Sequence, residues 1–298
     1  MKVLITGSAG MLGSAVYPAL VRAGHEVRAT DLAPRSESGL QMSMLDVRDL
    51  GAVRREIAAF RPDLVAHLAA ETDLETCELD PDHAFRTNTV GTQNVVAAAA
   101  QIDAIIVYIS TAGVFDGEKT TGPYTEFDEP RPINIYGASK YRGERVTAEL
   151  SSKFYIVRAG WMVGGGPRDH KFVAKVLQQI SDGASVIHAV DDKFGTPTYT
   201  EDFAVNLLRL IDEPRYGLYH MTCRGQGSRF DVAREIVAWS GRDVDVVPVP
   251  SSHFATTYFA PRPRSEMMRN YMLELAGIDL MRPWAEALTD YLDRSSAG

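Results

Sequence analysis

Apolar positions along the chain fall into short continuous runs that alternate with stretches of helical period. Lys2–Thr6 is an apolar run of strand length, and Met11–Ala23 carries helical spacing up to Gly24, which ends it. Glu26–Asp31 predicts a second strand, Leu50–Phe60 a helix, and Leu64–Leu68 a strand set off by Pro62. Pro81–Gln101 predicts one long helix with an alanine-rich face. Ala104–Ser110 predicts a strand, Tyr136–Leu150 a helix and Phe154–Arg158 a strand. The run Ala104–Ser110 shows no polar alternation, as befits a parallel strand covered on both faces. Strand and helix in repeated succession predict an α/β fold, a doubly wound parallel sheet of the Rossmann kind.

The texture changes after Arg158. Gly164-Gly165-Gly166-Pro167 marks a loop. Helices are expected over Lys171–Ser181 and Glu201–Ile211, a short strand over Ser185–Ala189, and a strand over Gly217–Thr222 that returns to the main sheet. Pro248 to Pro263 reads as loop, and Leu273–Leu292 as mostly helical with a fresh start at Pro283. The expected division is a dinucleotide-binding domain over 1–160, rejoined by segments near 200–222, and a smaller, discontinuous substrate-binding lobe over 161–298.

Composition narrows the partners. The 298 residues carry a net charge of -8, which disfavours nucleic acid, since phosphate backbones are held by clustered Lys and Arg. The longest basic patch, Arg262-Pro263-Arg264, suits one phosphate of a small ligand or a solvated loop. Cys77 and Cys223 lie far apart and form no disulfide framework, which fits a reducing cytosol and a cytoplasmic location. The apolar start is too short for a signal peptide, and no stretch approaches the roughly 18 apolar residues of a membrane span. The seven histidines are scattered without metal spacing, so no metal is expected.

Two motifs carry chemistry. Gly7, Gly10 and Gly13 follow a strand and open a helix. Glycines there allow a tight turn, close approach of backbone to a pyrophosphate, and close packing of helix on sheet, while free N–H groups face the phosphates. The spacing is G-x-x-G-x-x-G. Asp31 ends the second strand, 18 residues beyond Gly13, where a carboxylate can bind the adenosine ribose. It would repel a 2′-phosphate and so leans the choice toward NAD, although Arg28 and Arg35 nearby could accommodate NADP. Further along, Tyr136 and Lys140 stand four apart on one helix face. An ammonium beside a phenol favours the phenolate, and the phenol can pass its proton to a carbonyl oxygen as hydride reaches carbon. Thr111, with Ser110 as second choice, ends the preceding strand and would steady the carbonyl.

These residues resemble the short-chain dehydrogenase/reductase superfamily, in its extended, sugar-nucleotide branch, over nearly the whole chain. The resemblance implies further roles. Met11 and Leu12 in the glycine turn and Leu32 beside Asp31 would touch the cofactor. Asp46 and Val47 in Leu45–Asp49 would contact adenine, and Leu68, Ala69 and Ala70 would line the nicotinamide side. Asn88 would be a structural and proton-relay asparagine, and Lys140 would bind the nicotinamide ribose. Within the branch, Thr72 to Glu78, Phe115-Asp116-Gly117, Pro132 to Gly137, Arg158 to Trp161 and Gly195 to Tyr199 are similar to dTDP-4-dehydrorhamnose reductases. Those enzymes reduce a 4-keto group on a nucleotide-linked deoxysugar, and the likeness implies that Thr72, Leu74 and Trp161 line the sugar pocket. An indole face also suits the apolar face of a sugar ring or a base. One departure stands out. The subfamily usually has Ser-Thr-Asp-Tyr-Val-Phe where this chain has Ser110-Thr111-Ala112-Gly113-Val114-Phe115, so a phenol beside the threonine is missing.

The expected activity is NAD(P)H-dependent reduction of such a keto-sugar nucleotide. The alternatives are an epimerase or dehydratase on the same scaffold, or a non-catalytic nucleotide-binding regulatory subunit. A homodimer is common in the resembled family.

Overall fold

Buried apolar strands dictate the centre of the molecule. The computed structural model describes residues 1–34 and 41–296, so Arg35 lies outside the described residues. The first half runs β1 (Lys2–Thr6), α1 (Met11–Arg22), β2 (Glu26–Asp31), β3 (Met42–Met44), α2 (Leu50–Phe60), β4 (Leu64–His67), α3 (Leu74–Leu79), α4 (Pro81–Phe85), α5 (Gly91–Ala100), β5 (Ile105–Thr111), α6 (Ile135–Leu150) and β6 (Phe154–Ala159). The second half runs β7 (Trp161–Val163), α7 (Phe172–Ser181), β8 (Val186–Val190), β9 (Phe194–Gly195), β10 (Pro197–Tyr199), α8 (Thr200–Ile211), β11 (Gly217–Met221), β12 (Gly227–Ser228), α9 (Arg229–Ser240), β13 (Asp245–Val249), α10 (Tyr271–Ala276) and α11 (Trp284–Ser296).

The main sheet has seven parallel strands in the order β11-β6-β5-β4-β1-β2-β3. Alternation along β1 sends Val3 and Ile5 into one core and Leu4 into the other. The first core continues past the sheet into the second half, through Val173, Ile187, Val232 and Leu273, so the two halves share packing. The chain order reverses between β4 and β1. Ligands of such sheets bind at that point, outside the carboxyl ends of the strands.

Two expectations need correction. Pro81–Gln101 is not one regular helix: α4 and α5 are joined by a π-helical turn over Arg86–Val90. Asn88, fully buried in that turn, makes side-chain bonds to two other segments, and those tertiary bonds outweigh regular continuation of the helix. The stretch assigned to loop from Pro248 also begins inside a strand. Pro248 pairs with Ala189 in the two-stranded β13-β8 sheet, where an edge tolerates proline.

Candidate active site

The carboxyl ends of β1, β4 and β5 share one edge of the sheet, and the glycine turn, Leu68–Ala70 and Thr111 lie there. Gly7 has φ +75°, and a Cβ on it would stand 2.6 Å from the Ala69 nitrogen, so only glycine fits. A Cβ on Gly13 would stand 2.4 Å from the Ser8 carbonyl oxygen, which is how closely α1 packs on its own turn. Gly10 differs: a Cβ there would meet only the Gly7 carbonyl oxygen, at 3.4 Å. No side chain caps α1 and no acid occupies its first turn. The N–H groups of Met11, Leu12 and Gly13 therefore open the helix without intrahelical acceptors, a setting that favours an anion. These features fit a dinucleotide pyrophosphate. Gly165, with φ +86°, lies against this turn, since a Cβ on it would come 3.1 Å from Met11 Cα.

Asp31 holds the rim. Its carboxylate accepts from the N–H groups of Ala9 at 2.9 Å and Ala33 at 3.0 Å, with Leu32 exposed beside it. The Leu45 N–H donates to the Asp31 carbonyl oxygen at 2.8 Å, which brings Asp46 and Val47 to the same rim. Asp46 chelates Arg48 at 2.7 Å, and that hydrogen-bonded guanidinium holds its carboxyl below the usual range. Val47 is buried, and its side chain would be 2.8 Å from a Cβ on Gly91. Arg28 does not serve the rim: it pairs with Glu56 at 3.0 Å and stacks on Phe60 at 4.4 Å. Leu68, Ala69 and Ala70 leave β4 directly beside Gly7.

The helix α6 delivers Tyr136 and Lys140. Asn134 caps it by accepting from the Gly137 N–H at 2.7 Å. A Cβ on Gly137 would come 2.1 Å from the Gly113 carbonyl oxygen, so the first turn of α6 rests directly on the loop after β5. That contact brings Tyr136 beside Thr111, whose side chain favours the ionised phenol. Ser110 points to the other face of the strand, where its hydroxyl donates to Glu144, itself bound twice by Arg158 at 2.9 Å and 2.7 Å. Lys140 is buried with its Nζ 4.2 Å from the centre of the Tyr108 ring. The Tyr108 hydroxyl donates to the Lys140 carbonyl at 3.0 Å, and Gly143 leaves the room for that ring.

The electrostatics differ from the sequence expectation. Burial pushes the Tyr136 phenol up to about 12, against the opposing effect of the Thr111 side chain. Burial pulls the Lys140 ammonium down to about 7, partly countered by the charge of Glu144. Desolvation thus outweighs the attraction of the ammonium for a phenolate, and the phenol carries its proton at neutral pH.

Asn88 ties the two halves of the edge together. It accepts from the Glu71 N–H at 2.8 Å and donates to the Glu71 carbonyl at 3.0 Å and the Ser139 hydroxyl at 2.9 Å. Thr72 is exposed and Leu74 half-buried just beyond, where Asp73 caps α3. Cys77 beneath them is a buried thiol pushed up to about 12 by desolvation, unsuited to nucleophilic chemistry.

The opposite wall comes from the second half. Trp161 seats its indole on Gly195, where a Cβ would stand 2.3 Å from the ring. The Arg229 guanidinium lies 3.9 Å from the ring centre, and the indole N–H donates to Glu266 at 2.7 Å. Arg229 and Glu266 were not singled out from the sequence, because neither sits in a local motif. Arg262, one of the arginines weighed for a phosphate, is paired with Glu75 of α3 at 2.8 Å. Among the described residues no group of acidic, His and Cys side chains could hold a metal, and no helix is long and apolar enough to cross a membrane.

Comparison with known proteins gives a consistent result. The profile described as the RmlD substrate binding domain matches residues 1–297. A dTDP-4-dehydrorhamnose reductase of Mycolicibacterium smegmatis is 35% identical over 97% of this chain and 84% of its own. A crystal structure of a dTDP-4-dehydrorhamnose reductase from Clostridium acetobutylicum superposes with a TM-score of 0.90 at 38% identity, over 99% of this chain and 100% of that one. The Bacillus anthracis dTDP-4-dehydrorhamnose reductase in complex with NADP superposes with a TM-score of 0.88 at 33% identity, over 98% and 99% of the two chains.

Proposed function

The chain belongs to the RmlD substrate binding domain family, and from that premise we propose that it is an NAD(P)H-dependent reductase of a 4-keto group on a nucleotide-linked deoxysugar. The observation that carries the reading is the seating of the first turn of α6, with Tyr136, on the loop that follows Thr111, at the sheet edge that also bears the glycine turn. The hydroxyls of Thr111 and Tyr136 can then grip one carbonyl oxygen. Tyr136, protonated at neutral pH, gives that oxygen its proton as the carbonyl is reduced. A dinucleotide bound here supplies the hydride. The N–H groups of Met11, Leu12 and Gly13 hold its pyrophosphate. Asp31 and Leu32 hold the adenosine ribose, Asp46 and Val47 the adenine, and Leu68, Ala69 and Ala70 the nicotinamide side. Lys140 binds the nicotinamide ribose, and Asn88 keeps Lys140's helix fixed against residue 71. Thr72, Leu74 and Trp161 face the sugar.

In this reading residues 1–160 hold the cofactor and residues 161–298 the substrate. The enzyme works in the cytoplasm as a homodimer. The bonded Asp31 carboxylate favours NAD, because a 2′-phosphate would meet its charge. Asp31→Ala should relax a preference for NADH, and an unchanged cofactor ratio would remove Asp31 from the ribose site.

The test of the activity is direct. Purified protein with NADH or NADPH is offered a panel of 4-keto sugar nucleotides, and dinucleotide oxidation is followed. Turnover of at least one is expected. Cofactor binding with no turnover of any would favour the regulatory-subunit alternative.

A further inference from the structure

The sugar-facing wall contains a carboxyl group with an oxygen to spare. Glu266 sits in a segment clamped at both ends: its N–H donates to the Phe194 carbonyl at 2.8 Å, and the Phe194 N–H donates to the Arg264 carbonyl at 2.9 Å. One carboxyl oxygen, Oε2, accepts from the Trp161 indole N–H at 2.7 Å. The other, Oε1, lies 3.6 Å from where a Cβ on Gly113 would stand, and the Thr111 hydroxyl lies 3.4 Å from the same point. Thr111 Cγ2 follows at 3.7 Å, so a methyl group at that point would already be in ordinary contact with all three atoms. The Thr111 hydroxyl and a carboxyl oxygen thus flank one point over Gly113. It is the point from which a tyrosine side chain would start in the pattern this chain departs from. Tyr136 lies near enough to feel the charge of Glu266. Burial raises the Glu266 carboxyl above its ordinary range, partly countered by the indole N–H and by the cations of Arg229, Arg262 and Lys193.

We propose that Glu266 selects the substrate: Oε1, close to Thr111 and without a hydrogen bond of its own among the described residues, accepts one from an O–H or N–H substituent on the sugar carbon next to the carbonyl. The inference rests on the reductase reading above and adds a requirement to it. A carboxylate compensated by nearby cations is a strong acceptor for a donor held at fixed distance. A ring that presents no donor leaves this acceptor desolvated and unpaired, which is the costly case.

The test compares two probes on cofactor-loaded protein, a dTDP-4-keto-6-deoxyhexose carrying the hydroxyl beside the keto carbon and its analogue lacking that hydroxyl. Wild type should prefer the hydroxylated sugar about 10- to 100-fold in kcat/KM, the range of a hydrogen bond to a charged group. Glu266→Ala should reduce the preference to within about threefold, through loss on the hydroxylated sugar alone. Equal loss on both sugars would mean that Glu266 serves only to hold Trp161, and the proposal would be wrong. Glu266→Gln keeps an acceptor for the indole N–H, so it decides the matter should the alanine variant fail to fold: a preserved wild-type preference overturns the proposal. Should wild type turn over neither sugar, the panel above decides the reductase reading. The ratio of the two nucleotide-sugar dissociation constants, read by calorimetry in wild type and variants, then still decides the role of Glu266.

Discussion

The two walls of the cleft are built on different principles. The cofactor wall is made of backbone: bare glycines, open N–H groups at the start of α1, and a helix resting on a carbonyl at Gly137. The wall proposed to face the sugar is made of side chains that hold one another, with Trp161 between Gly195, Arg229 and Glu266. Backbone walls come from contiguous residues and fail all at once when a methyl group intrudes. Side-chain walls come from distant positions and can change one contact at a time. Hydride chemistry can thus stay constant while the sugar changes.

That contrast can be broken at named positions. The largest effect belongs to Tyr136→Phe, which should retain dinucleotide binding in a fluorescence titration and lose about 10²- to 10⁴-fold in turnover. Wild-type turnover would remove the phenol as proton donor. Next comes Lys140→Met, which should abolish most activity yet stabilise the ligand-free protein by roughly 4 kcal/mol at pH 7. The sign follows from the lysine's pKa, about 7 when folded against an ordinary 10.5. The folded chain binds this proton less readily, so wild type loses stability as pH falls from 10.5 toward 7. The gain from methionine should grow over that window and vanish above it, as read by denaturant midpoints. Gly137→Ala follows. Its methyl would meet the Gly113 carbonyl oxygen at 2.1 Å, so Tyr136 must move. A loss of about 100-fold in kcat is expected from misplacement alone, with the dinucleotide dissociation constant within a few-fold. Smallest is Gly195→Ala, which displaces the Trp161 ring. It should raise KM for the sugar nucleotide about tenfold and leave kcat and cofactor affinity nearly alone. A fall in kcat as large as that of Gly137→Ala would erase the distinction between the walls.

The same contrast explains what the sequence revealed. Gly7, Gly10 and Gly13, and Tyr136 with Lys140, lie within one turn or one helix, so local spacing exposed them. The strands of the main sheet were legible because both faces are buried and their residues run apolar without break. Thr111 was already preferred to Ser110 in the sequence, and the structure adds that the Ser110 hydroxyl is engaged by Glu144. Arg229 and Glu266 left no local trace, being brought to Trp161 from 68 and 105 positions away by the packing of the second half. The helix α9 did leave one: Ser228 and Asp231 form a capping box and Gly241 closes the helix in the left-handed conformation, signals as plain as those at Gly24. The π-helical turn at Arg86–Val90 had no such mark, since its cause is the set of distant partners that Asn88 binds.

Gly165 presses on Met11, where the pyrophosphate would be held, and so the second half of the chain is fastened to the entry of the first. Loading the coenzyme and settling the sugar-side loop then answer to one equilibrium. Occupancy of the glycine turn should stiffen a segment more than 150 residues downstream. Proteolytic nicking between residues 164 and 168 becomes a gauge of whether the coenzyme is in place.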